Sequence, residues 1–459
     1  MKNRRSLWAS ILLICLLLTG CEKGTNGTKV QYHDLFDTSD VTELDIAITR
    51  DNWDAMVNAP EKKKYVPCDM TLNGVSCAGV GIRPKGNTSL LGVADYNSYR
   101  YSYKVEMDHY NEGETLGGLD KLILNNIYED PSYLAEYLAY CCYEHLEVLT
   151  PYYGFANVTI NDQPWGLYLT IEAIEDSYAE RNDFSSAQIY KPEDSTVEQI
   201  NPKKNEKDPD GGADLRYRGD STDNYPNLFD NAVFEPTEED KQRVVTALEH
   251  LYTGENLEEY IDVDECLRYF AALTFTNNPD SYYSPAVCNY YLLENEGVLS
   301  MIPWDLNRSF VNYTETDVTY AVNAPIDDPW DCVLGVMTGE ISNESERPLF
   351  QKLMENPAYQ QKYYGYLQEL CDWVLDGSFL DELKSIREKI TPYVKDDPTR
   401  FYTYESYEYA ADSLELYIRL RAESVSEQIA GTISTASEGR SFASPLVDGS
   451  AAAKARMQR

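Results

Sequence analysis

Strand signals crowd the first part of this chain and helical signals follow, and that order narrows the fold more than any other feature. Apolar alternation marks strands at 44–48, 65–72 and 75–83, with Asn73-Gly74 between the last two. Asn-Gly joining two such runs is the strongest short-range hairpin signal, because both residues tolerate the positive φ of a tight turn. A further strand is expected at 101–107, and a second hairpin at 155–160 and 165–171 around Asn161-Asp162. Asp130-Pro131 reads as an N-cap with proline at the first helical position. Leu134, Leu138, Cys141, Cys142 and Leu146 then recur at helical spacing. Thr237-Glu238-Glu239-Asp240 resembles a capping box and opens a helix that runs to Gly254. Helices are expected at 264–275, 348–374, 380–393 and 407–430. Strands followed by helices make an α+β chain. The polar stretch 193–225 reads as an acidic surface insertion, and 433–459 as a disordered tail.

The N-terminus speaks to location. Lys2, Arg4 and Arg5 precede an apolar run at 6–18, and Leu18-Thr19-Gly20-Cys21 reads as a lipoprotein cleavage box. The run is shorter than the roughly 20 residues a spanning helix needs, so residues 1–21 are expected to be a removed signal peptide. Cys21 would carry the lipid, and 22–30 would be a polar tether. The protein is then expected in the cell envelope, held to the outer face of the cytoplasmic membrane by that lipid alone. An uncleaved anchor is the alternative.

Net charge is −38, from 77 acidic and 39 basic residues. Such a balance argues against nucleic acid, whose phosphates need Lys and Arg. It would attract a basic, Ser-rich polypeptide, although acidity for solubility explains the same numbers. The 38 Tyr favour a folded chain despite the charge. Setting Cys15 and Cys21 aside leaves eight cysteines without a CxxC pair, so a zinc ribbon is not indicated. Cys68 and Cys77 flank the Asn73-Gly74 turn. With a regular two-residue loop Met70 faces Cys77 and Cys68 faces Gly79, which puts the two cysteines on a diagonal near the limit of bridging distance.

The chemistry concentrates between 277 and 307. A hairpin is expected at 290–294 and 298–302, with a turn at 295–297. A hairpin brings its ends together, so Asn289 and Asp305 should lie side by side, with Asp280 on the loop leading in. Two carboxylates and an amide oxygen on one spot suit Mg²⁺, which takes few carboxylates alongside phosphates, and a carboxylate that accepts a hydroxyl proton. On spacing alone the same residues serve equally well as turn caps. The run Asp208-Pro209-Asp210-Gly211-Gly212 fails as a calcium loop, having Gly212 and Gly219 where ligands belong. The four His show no spacing for zinc or a hydrolase triad.

Taken in order, nine segments resemble the CotH kinase family over about 44–431. They are Arg83-Pro84-Lys85-Gly86-Asn87-Thr88-Ser89, Ser102-Tyr103-Lys104-Val105, Asn125-Asn126 with Asp130-Pro131-Ser132, the run Gly166 to Glu172, Gly212-Ala213-Asp214-Leu215, Asp280-Ser281-Tyr282, Asn289-Tyr290-Tyr291-Leu292, Pro303-Trp304-Asp305 and Leu420-Arg421-Ala422-Glu423. The resemblance implies an atypical protein-kinase-like fold of two lobes, a β-rich N-lobe at 31–172 and a helical C-lobe at 226–432 within one domain at 31–432. It further implies ATP, Mg²⁺ or Mn²⁺, and phosphorylation of Ser in spore-coat or surface proteins. By position, Asp280 matches the catalytic base, and Asn289 with Asp305 the metal pair. Lys104 best matches the lysine on the α- and β-phosphates, with Glu136 as its partner. Arg83, Lys85, Gly86 and Asn87 belong to the loop over the phosphates, and Glu172 would fall near the adenine hinge.

The chain departs from the family in places. Asp280 and Asn289 are nine positions apart, against five in ordinary kinases. Cys288 stands where histidine is frequent, Asn307 where aspartate is, and Val311 where glycine is common. Two other readings stay open: transfer of a different group such as AMP on the same fold, and a non-catalytic surface adhesin or coat component.

Overall fold

A computed structural model describes residues 32–36, 40–96, 98–193, 211–284, 287–311, 318–329, 347–437 and 446–453. The expected signal peptide, Cys21 and the tether lie outside them.

Asn73 and Gly74 take φ of 49° and 79°, and Asn161 and Asp162 take 52° and 62°, so both hairpins close through turns with two positive-φ residues. These turns organise seven strands: β1 (Thr42–Ala47), β2 (Val66–Leu72), β3 (Val75–Lys85), β4 (Ser102–Glu106), β5 (Lys121–Asn125), β6 (Tyr153–Ile160) and β7 (Gln163–Glu172). They form a closed barrel in the order β1-β2-β3-β4-β5-β7-β6. Closure is a parallel pairing of β1 with β6, Leu44 opposite Val158, and it leaves no open edge. Leu44, Ile46, Met70, Val80, Tyr103 and Leu122 fill the interior.

Strand β5 was not anticipated. All five of its residues are buried, so it lacks the alternation that marks a half-exposed strand. Leu122 and Leu124 face the barrel interior, while Ile123 joins Tyr153, Phe155, Leu169 and Ile171 in the core shared with the helices. The barrel's outer surface is therefore a second packing face, and the helix Ala135–His145 lies in the same core.

Several boundaries move. The Ala135–His145 helix starts later than Asp130-Pro131 suggests, because Tyr133 (φ 62°) inserts an extra turn. Asp130 still caps it, accepting from the Ala135 N–H at 2.7 Å. The helix expected at 348–374 is two, Pro348–Met354 and Pro357–Leu375. Asn356 caps the second, and Pro357 cannot donate to the turn before it. A β-bulge shifts Cys68 opposite Val80 instead of Gly79, and both Cys68 and Cys77 remain thiols. The expected surface insertion is only partly one: residues 194–210 are outside the description, but Ala213, Asp214, Leu215 and Tyr225 are fully buried. Polar composition misled there because Asp214 is neutralised internally by Arg216 and Arg218. The tail also departs from expectation, since Val447 exchanges two hydrogen bonds with the Asn323 side chain and Ala452 is buried.

The barrel is held to the helices by a buried ion pair. Arg100, just before β4, donates to Asp397 at 2.6 Å, and both side chains have no exposure. Asp397 follows the helix Ser378–Asp396 and also accepts from the Leu167 N–H in β7 at 3.0 Å. Gly166 has no room for a side chain there, because a Cβ would lie 2.3 Å from the Asp397 carboxylate. Among the described residues no helix is long and apolar enough to cross a membrane.

One buried carboxylate makes stability depend on pH. Glu265, in the helix Val263–Thr276, accepts from the Leu149 N–H at 2.9 Å, and burial pushes its pKa up to about 7. The folded state therefore binds this proton more tightly than the unfolded chain. Its contribution to stability falls as pH rises from the ordinary carboxylate range to about 7. Glu265→Gln should be more stable than wild type at pH 8 by about 1–2 kcal/mol, a figure discounted for partial exposure. The gap should close near pH 4.5 in urea titrations at the two pH values. Equal stability at both would refute the assignment.

Candidate active site

Strands β8 (Gln188–Tyr190), β9 (Tyr290–Asn295) and β10 (Val298–Pro303) form a small sheet in the order β10-β9-β8. Its hairpin turns through Glu296-Gly297, one residue shorter than expected, with Tyr290 opposite Pro303. Asn289 and Asp305 therefore flank the two strand ends. Both have positive φ, 58° and 53°, a conformation that Asn and Asp tolerate better than most residues. The Asn289 amide donates to the Asp280 carbonyl at 3.0 Å. Asp280 sits on the loop leaving the helix Val263–Thr276, held by a bond from its N–H to Asn278 at 3.0 Å. Its carboxylate accepts from the Cys288 thiol at 3.3 Å and lies 3.8 Å from Arg308. Burial raises its pKa, opposed by Arg308 and Cys288 and reinforced by Asp305. Cys288 thus supplies a donor to the acid.

The barrel contributes the other half. Lys85, the last residue of β3, donates to Asn125 at 2.9 Å and stands 5.8 Å from the Trp304 ring. Asn125 in turn donates to both Glu136 oxygens, at 2.9 and 3.1 Å. Lys85, Gly86, Asn125, Glu136 and Asp305 line one pocket. Burial lowers the Lys85 pKa, while Asp305 and Glu136 oppose that shift. Burial, and then Asp305, push Glu136 up to about 8. Glu136 is buried, Asp305 is partly buried, and both face the Lys85 ammonium. This donor set of hard oxygens fits a divalent cation bound through few protein ligands. Among the described residues no group of three or more His, Cys, Asp or Glu forms a cage of its own.

Asp280, Asn289, Asp305, Glu136, Lys85 and Gly86 are thus brought together. Four other expected residues are not. Lys104 points its ammonium at Glu175, which also holds Lys121 at 2.8 Å, and it does not line the pocket. Arg83 lies over the Tyr65 ring at 5.1 Å. Asn87 accepts from Lys63 at 2.6 Å. Glu172 is fully buried and held by Arg181 at 2.8 Å, by Tyr32 and by the Tyr152 N–H, so its carboxylate is committed to packing. Asn125, Arg308 and Glu129 belong to the site although no role was expected of them. Asn125 stood in a quoted motif, and only the tertiary neighbours reveal what it does. Phe310 and Val311 also have positive φ, 58° and 56°, the backbone region that favours glycine.

This geometry defines a lysine–carboxylate cleft with a second acidic centre across it, and sequence comparison gives it a family. The family model described as CotH kinase protein matches residues 82–425, and the chain belongs to that family. It is similar to the inner spore coat protein H of Bacillus subtilis (strain 168), 22% identical over 347 residues, 74% of this chain and 87% of that protein. A second relative, the inner spore coat protein H-like protein of the same strain, is 39% identical over 94 residues, 20% of this chain and 29% of its own length.

Proposed function

We propose that this protein is an extracytoplasmic, ATP- and Mg²⁺- or Mn²⁺-dependent protein Ser/Thr kinase with a two-lobed kinase-like fold, tethered through Cys21. The observation that carries the reading is the convergence of Lys85 and Asn125 from the barrel and Glu136 from the Ala135–His145 helix on Asp305, beside Asp280 and Asn289. Lys85, rather than Lys104, would hold the α- and β-phosphates, oriented by Asn125 and Glu136. Asp305 and Asn289 would hold the divalent cation, which supplies charge neutralisation for the phosphates. Asp280 would accept the proton of the attacking hydroxyl, a task suited to a carboxylate whose pKa is raised by burial. The acidic chain suits a basic, Ser-rich protein substrate. The name of the spore-coat relative directs the search toward coat or surface proteins.

The test is incubation of the mature chain with ATP labelled at the γ- or the α-phosphate, a divalent cation and a basic Ser-rich protein. Transfer of γ-label alone is expected, and it should cease on chelation. Transfer of α-label would replace phosphorylation by AMP transfer. No transfer and no nucleotide binding would leave a surface-binding protein.

A further inference from the structure

Arg308 stands three residues beyond Asp305 and reaches back toward the catalytic loop. Its guanidinium meets Glu129 at 2.8 and 2.9 Å and lies 3.8 Å from the Asp280 carboxylate. Glu129, on the loop between β5 and the Ala135–His145 helix, lines the same pocket as Lys85 and Asp305, as does Asn307. Arg308 therefore bridges the wall of the nucleotide pocket and the group assigned as base. All three side chains are partly exposed, between 19% and 31%, so an incoming anion can reach the guanidinium. A planar fork of donors is the side chain best matched to phosphate oxygens.

We infer that Arg308 is a catalytic residue that binds the γ-phosphoryl group of ATP during transfer, a role that rests on the kinase reading above. In that step the seryl oxygen forms a bond to the γ-phosphorus while the bond to the β–γ bridging oxygen breaks. ADP leaves with that electron pair, and the hydroxyl proton passes to Asp280. Arg308 faces the equatorial oxygens on which charge is spread. Glu129 holds the guanidinium at the pocket wall before the nucleotide enters and keeps it from closing fully onto Asp280. The lysine of the pocket, Lys85, is committed to Asn125 on the other side, so the two cations divide the phosphate chain between them.

The test compares MgATP and MgADP binding to the full mature chain by calorimetry, together with γ-label transfer, for wild type, Arg308→Ala and Arg308→Lys. Arg308→Ala should weaken MgATP about tenfold, leave MgADP within about twofold and slow transfer at least ~100-fold. Arg308→Lys keeps the charge without the fork, so it should retain ATP affinity within about threefold while transfer falls about tenfold. Equal weakening of ATP and ADP in Arg308→Ala, or transfer at the wild-type rate in that variant, would overturn the inference and leave the kinase reading intact. A wild type that binds neither nucleotide would overturn both. Should Arg308→Ala not fold, γ-label transfer in Arg308→Lys decides alone: transfer at the wild-type rate there overturns the role.

Discussion

Lys85→Met should reduce phosphoryl transfer at saturating ATP by about 10²–10³-fold, the loss typical of one preorganised charge at a reacting centre, whereas Lys104→Met should stay within about threefold of wild type. The two lysines face the same side of adjacent strands, since Lys85 pairs with Ser102 and Arg83 with Lys104. Their surroundings differ. The Lys85 ammonium faces Asn125, Glu136, Asp305 and the Trp304 ring inside the pocket. Methionine preserves its length and removes the charge that phosphates would meet. Lys104 spends its charge on Glu175, and Lys121 remains on that carboxylate when Lys104 is lost. Transfer rates of the two variants, compared at matched fold by urea midpoint, check the assignment. An inactive Lys104→Met beside an active Lys85→Met would return the phosphate role to Lys104.

Asp397→Ala should cost about 3–5 kcal/mol, the typical penalty for leaving one member of a buried ion pair without the other. Arg100 has no exposure. Besides Asp397 it donates to the Asn126 carbonyl at 3.1 Å, to Thr399 at 2.8 Å and to the Leu167 carbonyl. None of these carries a negative charge. The Leu167 N–H would also lose its acceptor, a further cost for a buried donor. For a chain with the usual margin of about 5–15 kcal/mol, that loss is a large share of total stability. Urea unfolding of Asp397→Ala, Asp397→Asn and the double variant Arg100→Met/Asp397→Leu measures it. Asn keeps an acceptor for Leu167 and should lose less than Ala, and the apolar pair should recover part of the loss. A single Ala variant as stable as wild type would show that the pair does not clamp the barrel to the helices.

Features encoded by a few neighbouring residues were legible in advance. The turns at Asn73-Gly74 and Asn161-Asp162 follow from φ preferences, and the Thr237–Asp240 capping box forms as read. Asn289 and Asp305 could be paired because a hairpin of short turn leaves its flanking residues no other place to go. Even an error of one residue in the turn did not disturb that inference, since the strands lengthened equally on both sides.

Only the tertiary structure decided which charges belong to the site. Lys85 and Lys104 are indistinguishable as outward-facing lysines on neighbouring strands, and nothing local says that Glu175 captures one while Asn125 and Glu136 receive the other. Glu172 ends a strand as expected, yet Arg181 and Tyr32 bury it. Barrel closure by β1 on β6 is likewise a long-range pairing, and β5, apolar on both faces, carried no period to announce it. Turns and caps are settled by the torsions of adjacent residues. The partner of a charge depends instead on which segments the whole chain brings within a few ångströms, and no local pattern contains that.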